Sequence, residues 1–269
     1  MSTVKRLRIS LGTLAAVEAV STSPSAAEAA VEAAFAALAQ VGQRLHPQSA
    51  DSDLARVNNA PLQTGITVHP STCDLLRLAQ QLNALSGGVF DPCLPSRPGR
   101  LQDLEISTGL LVCHAPVALD FGGFAKGYAV DCAIEALREH GCTAGLVNAG
   151  GDLRVFGVRT EPILLRGPGG ELTPVELSDA ALAVSDADSQ RHPAEHQGYY
   201  IRGRVGVDHW DRANMGRQGL QAPPPSRYAA VIAKEAVVAD ALTKCVLLCP
   251  GRTAGDVLKA FGATQALVQ

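Results

Sequence analysis

The sequence predicts an α+β fold, in which strands and helices do not alternate in the regular order of a doubly wound sheet. Three observations support this class. Apolar residues recur every three or four positions over residues 26–45, which indicates an amphipathic helix. Residues 117–148 read as strand, glycine turn, helix and strand, and residues 186–227 are polar and irregular. With no internal repeat, we expect a single domain over residues 1–269.

Composition excludes several classes of protein. The chain has 269 residues, 46% of them hydrophobic and only 4% aromatic, so its core must be aliphatic. Its formal net charge of −3 disfavours a nucleic-acid-binding role, which usually shows a basic excess. No stretch reaches the roughly 20 apolar residues of a membrane span. The expectation is therefore a globular protein that binds neither nucleic acid nor the bilayer interior.

The cysteines and the N-terminus bear on the compartment. Seven cysteines without a CxxC pair indicate buried, reduced thiols, which favours the cytoplasm. Residues 1–21 also resemble a signal peptide, with basic residues before a short apolar run, and they leave a periplasmic location as the alternative. Glu18 and the Gly12-Thr13 interruption make a first strand the preferred interpretation.

The N-terminal half is predicted element by element. Residues 7–20 read as one strand. Ser25 and Glu28 have the spacing of a capping box at the start of the helix 26–45. A second helix runs over residues 71–86 and ends before Gly87-Gly88. Residues 93–116 contain prolines and short apolar pieces, which predict a loop with one strand.

The C-terminal half contains the best-defined unit. A strand over 117–121, the turn Gly122-Gly123 and a helix over 124–140 precede strands at 144–148 and 153–158. Residues 186–227 are predicted to be loops that cover an active site. The remaining predicted elements are a helix over 237–249, a helix from about Thr253 and a strand over 265–268.

Two glycine turns are candidates for binding an anion. Gly122-Gly123 precedes a helix N-terminus, where backbone amides and the helix dipole favour a phosphate, and Lys126 adds a positive charge. The alternative is a tight corner with a solvated lysine. Asn148-Ala-Gly-Gly-Asp152 is a second turn after an apolar strand. One helix separates the two turns, so we expect them to meet at one rim of the sheet.

Asp240 is the most conspicuous acid in the sequence. It lies on an otherwise apolar helix, and burial without a partner would cost several kcal/mol. It therefore either faces a cleft or pairs with a cation. Lys244, four residues later, supplies the favourable acid-first order for an ion pair within the helix.

A literal metalloprotease pattern is also present. His192-Pro-Ala-Glu195-His196 matches HxxEH, in which a helix presents two histidines to zinc. Pro193 and flanks without amphipathic periodicity oppose a helix here. A zinc hydrolase is therefore the weakest alternative.

Taken together, the motifs resemble the ApbE family, the FAD:protein FMN transferases. They appear in family order and extend over nearly the whole chain. The segments are Leu11-Gly-Thr13, Asp51-Ser-Asp-Leu-Ala-Arg-Val-Asn58, Gly88-Val-Phe-Asp-Pro92, Leu119-Asp-Phe-Gly-Gly-Phe-Ala-Lys-Gly-Tyr-Ala-Val-Asp131, Val147-Asn-Ala-Gly-Gly-Asp-Leu-Arg154 and Ala239-Asp-Ala-Leu-Thr-Lys244.

The resemblance implies an α+β, tunnelling-fold-like architecture of mixed sheets and packed helices, with the flavin between two lobes. It also implies a Mg²⁺-dependent reaction in which FAD is cleaved and FMN is attached through a phosphoester to a Ser or Thr of an acceptor flavoprotein. By resemblance, the metal ligands are Ala125, Asp240 and Thr243. The implied flavin-site residues are Asp91, Gly122, Gly123, Lys126, Asn148 and Gly150.

One departure from the family pattern keeps alternatives open. The family commonly has a hydroxyl residue four positions after the metal-binding aspartate, where this chain has Lys244. An FAD-binding member that has lost transfer activity is the first alternative, and an interaction module with a decayed pocket is the second. His209, within Val207-Asp208-His209-Trp210-Asp211, is the candidate general base, although a solvated loop histidine would have the same pattern.

Overall fold

A computed structural model describes residues 1–167, 169–186 and 228–268. Within these ranges the predicted α+β class is confirmed. The helices are α1 (Pro24–Arg44), α2 (Asp53–Asn58), α3 (Pro70–Leu85), α4 (Ala125–Glu139), α5 (Ala236–Leu248) and α6 (Gly251–Ala260), with a 3-10 turn at Leu101–Asp103. The strands are β1 (Ser2–Ser10), β2 (Thr13–Ser21), β3 (Gly65–Thr67), β4 (Leu104–Ser107), β5 (Leu110–Cys113), β6 (Ala144–Ala149), β7 (Asp152–Gly157), β8 (Thr160–Arg166), β9 (Leu172–Ser178), β10 (Ala181–Asp186), β11 (Tyr228–Ala233) and β12 (Thr264–Val268).

A seven-stranded antiparallel sheet organises the described residues. Its order is β1-β2-β6-β7-β10-β11-β12, and smaller sheets are formed by β3-β5-β4 and by β8-β9. Helices α1, α4 and α5 pack against one face of the large sheet. Leu146, Val155 and Leu182 on the opposite face pack against Leu165 and Leu177 of the β8-β9 hairpin. The central strands are therefore covered on both faces, which explains their nearly continuous apolar sequence.

The single strand predicted over residues 7–20 is wrong. The chain reverses at Leu11 and Gly12, whose φ angles are 53° and 71°, and Ser10 pairs with Thr13. Positive φ at both central residues defines the tight hairpin turn that suits the twist of the flanking strands. Because apolar residues continue through the turn, periodicity alone did not separate β1 from β2.

The strand predicted over residues 117–121 is also absent from the described structure. This segment makes one isolated bridge, between Leu119 and Cys93. Side chains satisfy much of its backbone instead: Asn58 donates to the Leu119 carbonyl at 3.0 Å and accepts from the Leu119 amide at 2.7 Å. Arg97 donates to the Val117 carbonyl at 3.1 Å. Backbone hydrogen bonds with Pro92 and Leu94 flank the bridge, so residues 92–94 and these side chains hold the segment in place of a regular sheet.

Several short elements were not predicted from the sequence. Helix α2 is too short for a helical period, and strands β3, β8 and β9 lie on small sheets. Residues 93–116 contain two strands, β4 and β5, where one was expected. Most of the stretch 186–227 lies outside the described residues.

The N-terminal residues and the cysteines have defined places. Residues 2–21 form β1 and β2, and β2 pairs with the central strand β6. All seven cysteines carry free thiols, and five of them are buried. Among the described residues, no helix combines the length and apolarity needed to cross a bilayer.

Candidate active site

The first glycine turn is held rigidly between the 117–121 segment and α4. The Asp120 carboxylate accepts the Gly122 amide at 2.7 Å, which closes a short side-chain turn. Phe121 and Phe124 are fully buried, with ring centroids 4.8 Å apart. Because both flanks are anchored in the core, the corner places Lys126 in the first turn of α4 at a fixed position.

The second glycine turn joins β6 to β7. Asn148 accepts the Gly151 amide at 3.0 Å, and Gly150 has a φ of +65°. A Cβ atom at Gly150 would lie 2.7 Å from the Thr13 hydroxyl oxygen. Glycine at this position therefore permits both the backbone conformation and the close approach of the β1-β2 turn.

Both glycine turns border one cavity of about 470 Å³. The described residues that line it come from α4, α5, the β6-β7 turn, β8 and the facing ends of β10 and β11. They include Gly122, Lys126, Asn148, Gly150, Gly151, Ile163, Arg166, Ser185, Asp186, Tyr228 and Lys244. The two turns thus meet at one rim, as the sequence indicated.

A second cavity of about 870 Å³ adjoins the first. It lies between the β1-β2 turn, the C-terminal end of α1 and the Asp120–Lys126 corner, and its lining is more apolar. Gly122 and Lys126 line both cavities. Lys126 therefore stands where the two spaces meet.

Lys126 pairs with a carboxylate at the start of β7. Its ammonium lies 2.5 Å from the Asp152 Oδ2 atom, and the Asp152 side chain is only 1% exposed. Burial and the like charge of Asp240 raise the pKa of Asp152 to about 6, against the lowering effect of Lys126 and Lys244. Within the described structure, Asp152 Oδ1 is buried without a hydrogen-bond partner. The pair is therefore only half satisfied.

Asp240 forms a second, more enclosed pair. Its side chain is fully buried, Oδ2 accepts the Gly127 amide at 3.0 Å, and Oδ1 pairs with Lys244. The Lys244 ammonium also donates to the Asp240 carbonyl at 3.0 Å. Of the two sequence alternatives for Asp240, the structure shows the ion pair with Lys244, and Lys244 itself reaches the cavity.

Gly127 explains how a helix terminus comes so close to α5. A Cβ atom there would lie 2.3 Å from the Ala236 carbonyl oxygen and 2.8 Å from the Asp240 Cβ atom. Only glycine allows this approach, which brings the Asp240 carboxylate to the α4 N-terminus. A negative charge is favoured there by the helix dipole.

The hydroxyl group of Thr243, an implied metal ligand, is engaged in hydrogen bonds with neighbouring residues. The residue is fully buried, its hydroxyl donates to the Asp240 carbonyl at 2.7 Å, and it lies 2.7 Å from the Ser185 hydroxyl. These bonds tie α5 to the end of β10. Ser185 is a site-lining residue that sequence reasoning missed, because the strand that carries it was not predicted.

A buried network behind the site was missed as well. Asp131 accepts the amides of Ala236 and Val237 at 2.9 and 2.8 Å, which caps α5, and Arg154 donates to the same carboxylate at 2.6 Å. The network fixes α4, β7 and α5 relative to one another. Asp131 and Arg154 are the last residues of two of the ApbE-like segments. Membership of those segments was the only indication in the sequence that the two residues matter.

A model of the ApbE family matches residues 11–268 of the chain. The chain belongs to the ApbE family. A curated relative from Treponema pallidum (strain Nichols), named FAD:protein FMN transferase, is 27% identical over 187 residues. That match covers 57% of this chain and 52% of the relative, so the chain matches about half the relative's length.

Solved ApbE structures share the fold. The apo flavinyl transferase ApbE of Pseudomonas stutzeri superposes with a TM-score of 0.77 at 23% identity, covering 100% of this chain and 92% of that one. The ApbE protein of Thermotoga maritima gives 0.77 at 19% identity, covering 100% and 96%. The flavin transferase ApbE of Vibrio cholerae gives 0.73 at 18% identity, covering 97% and 92%.

The residues predicted from the ApbE resemblance, apart from Asp240 and Thr243 described above, divide according to their position. Gly122, Lys126, Asn148 and Gly150 line the first cavity. Gly123 and Ala125 lie beside it: a Cβ at Gly123 would be 4.0 Å from Lys244 Cε, and Ala125 lines the second cavity. Asp91 accepts the Cys93 amide at 2.8 Å and is not among the described residues that line either cavity. His209 and the His192–His196 pattern lie outside the described residues.

Proposed function

We propose that this ApbE-family chain is an FAD:protein FMN transferase. The single observation that carries the proposal is the convergence of Lys126 and Lys244, from two different helices, on one cavity bordered by both glycine turns. Two ammonium groups suit a diphosphate, which carries two negative charges. Family membership and the name of the curated relative support the same activity.

The pair of adjoining cavities fits a dinucleotide. FAD consists of a flavin half and an adenosine half, and the diphosphate joins them. Lys126 lines both cavities, so a diphosphate beside its ammonium would have room for one half on each side. A mononucleotide would need only one of these spaces.

The transfer breaks the P–O–P bond of FAD. The hydroxyl oxygen of an acceptor Ser or Thr attacks the phosphorus of the flavin half, the hydroxyl proton goes to a base, and AMP leaves with the bridging oxygen. Positioning and neutralisation of charge provide most of the rate in such transfers. Lys126 and Lys244 are placed to neutralise the phosphate oxygens, and His209 remains the candidate base.

The Mg²⁺ that the resemblance implies does not fit the residues as they are arranged. Both carboxylate oxygens of Asp240 already accept hydrogen bonds, and one of their donors is the Lys244 ammonium. The Thr243 hydroxyl donates to a carbonyl. The described residues contain no cluster of three or more His, Cys, Asp or Glu side chains that would hold a metal. No step of the mechanism is therefore assigned to a metal.

A second function has a specific observation in its favour. An ammonium beside Asp240 carries one positive charge where a divalent ion would carry two, so transition-state stabilisation is weaker while ground-state binding of FAD persists. An FAD-binding member without transfer activity would follow from that difference. The two functions separate on whether FMN becomes covalently attached to an acceptor.

The test is direct mass measurement. The full-length protein is incubated with FAD and an acceptor domain that carries a target Ser or Thr, and the acceptor is weighed intact. Transfer predicts addition of one FMN, and the same acceptor with Ala at the target position stays unmodified. Bound FAD with an unmodified acceptor would establish the binding protein, and no FAD-induced rise in melting temperature would leave only the interaction module.

A further inference from the structure

A position for a cation beside Asp240 is already filled in this chain. The Lys244 ammonium contacts two oxygen atoms of Asp240, the carboxylate Oδ1 and the backbone carbonyl, the latter at 3.0 Å. Mg²⁺ demands near-octahedral oxygen ligands at about 2.0–2.1 Å. An ion placed on the same two oxygens would overlap the ammonium, so the ammonium and a metal exclude each other.

The occupied position faces the anion site. Lys244 is 12% exposed at its side chain and lines the first cavity, and its Cε lies near the Gly122-Gly123 corner. Lys126, 37% exposed, approaches the same cavity from α4. Lys244 pairs with the buried carboxylate of Asp240, and Lys126 pairs with that of Asp152. These ion pairs fix the positions of both ammonium groups at the cavity.

We propose that Lys244 takes the place of a divalent cation in this chain, and that Lys126 and Lys244 together hold the FAD diphosphate without a metal ion. This inference rests on the proposed function, since it takes FAD as the ligand. Lys244 supplies a permanent positive charge on α5, so FAD binding is independent of divalent ions and of chelators.

The first experiment measures the affinity for FAD by quenching of flavin fluorescence, once with EDTA and once with MgCl₂. The wild-type protein should give the same dissociation constant in both buffers, within about a factor of two. Lys244→Thr should bind at least about tenfold more weakly in EDTA and recover on addition of MgCl₂, since a hydroxyl leaves room for the ion. Lys244→Arg keeps the charge and should bind FAD in EDTA.

A matched control and a metal probe complete the test. Lys259 is an exposed lysine on α6 that lines neither cavity, and Lys259→Thr should behave as wild type in both buffers. Mn²⁺, which prefers the same oxygen ligands as Mg²⁺, is titrated alone and followed by electron paramagnetic resonance. Wild type should bind no Mn²⁺ at this site, whereas Lys244→Thr should gain one ion.

The outcomes separate the inference from the function. Loss of wild-type FAD affinity by about tenfold or more in EDTA would overturn the inference and leave the transferase proposal standing. Wild-type binding of Mn²⁺ that Lys244→Arg abolishes would also overturn it, even if Lys244→Thr does not fold. If wild type binds no FAD in either buffer, the proposed function itself is wrong.

Discussion

Two lysine–aspartate pairs border the same cavity, and they differ in how completely their carboxylates are satisfied. Asp240, on α5, uses both carboxylate oxygens, one for Lys244 and one for the Gly127 amide. Asp152, on β7, uses one oxygen for Lys126, while the other has no hydrogen-bond partner in the described structure. Both acids are nearly inaccessible, so exposure does not account for the difference.

The difference indicates that the two carboxylates have different roles, Asp240 in the fold and Asp152 in the site. Asp240 bridges two helices with both carboxylate oxygens hydrogen-bonded, which is typical of a group that maintains the fold, while its partner Lys244 lines the cavity. The Asp152 pair keeps an unsatisfied oxygen and a more exposed lysine at the junction of two cavities. Unsatisfied buried polar atoms are rare in folded proteins and often mark functional positions.

Asp240→Ala should lower the free energy of unfolding by about 3–5 kcal/mol. The change leaves the Lys244 ammonium without its carboxylate and the Gly127 amide without an acceptor, which is the usual cost of breaking a buried pair. Urea denaturation measures it. Asp256→Ala, at an exposed position of α6, should change stability by less than about 0.5 kcal/mol. Equal effects of the two changes would contradict the structural role of Asp240.

Lys126→Ala should weaken FAD binding by about 1.5–3 kcal/mol, the range of a charge-assisted hydrogen bond. Its effect on stability should be smaller than that of Asp240→Ala, because the lysine is partly exposed. Isothermal titration with FAD measures the binding, and Lys259→Ala serves as the exposed control. Unchanged affinity would remove Lys126 from the site.

Gly127→Ala should destabilise the protein by roughly 1–3 kcal/mol, because the added methyl group collides with the backbone of α5. Gly255 offers a matched comparison within a helix, since a Cβ there meets nothing within 4 Å. Gly255→Ala should stabilise by up to about 1 kcal/mol through helix propensity. Thermal melts of both variants give the comparison, and a stable Gly127→Ala protein would show that α4 and α5 can separate without loss.

The raised pKa of Asp152, about 6 against a usual value near 3.8, predicts a pH dependence of stability. Between these values the folded protein retains a proton that the unfolded chain has released, so stability falls as the pH rises from about 4 to 6. Asp152→Asn should remove that part of the slope, which is on the order of 1 kcal/mol per pH unit. Urea midpoints from pH 4 to 8 test this, with the exposed Asp74→Asn as the control. If Asp152→Asn left the slope of stability against pH unchanged, the raised pKa of Asp152 would be contradicted.

The sequence predicted the long helices and the glycine turns because their signals are local. Apolar spacing located α1, α3, α4 and α5 to within a few residues, and the two turns were placed at one rim. The β1-β2 hairpin was missed because Leu11 adopts positive φ without any turn-forming side chain. Ser185 and Asp131 act through contacts 58 and 105 residues away in sequence, which no local pattern encodes.

A crystal structure with FAD, grown in EDTA, tests the central claim most directly. The account predicts the diphosphate between the Lys126 and Lys244 ammonium groups, with one half of the dinucleotide in each adjoining cavity. A diphosphate bound elsewhere on the molecule, or one that contacts neither lysine, would contradict it.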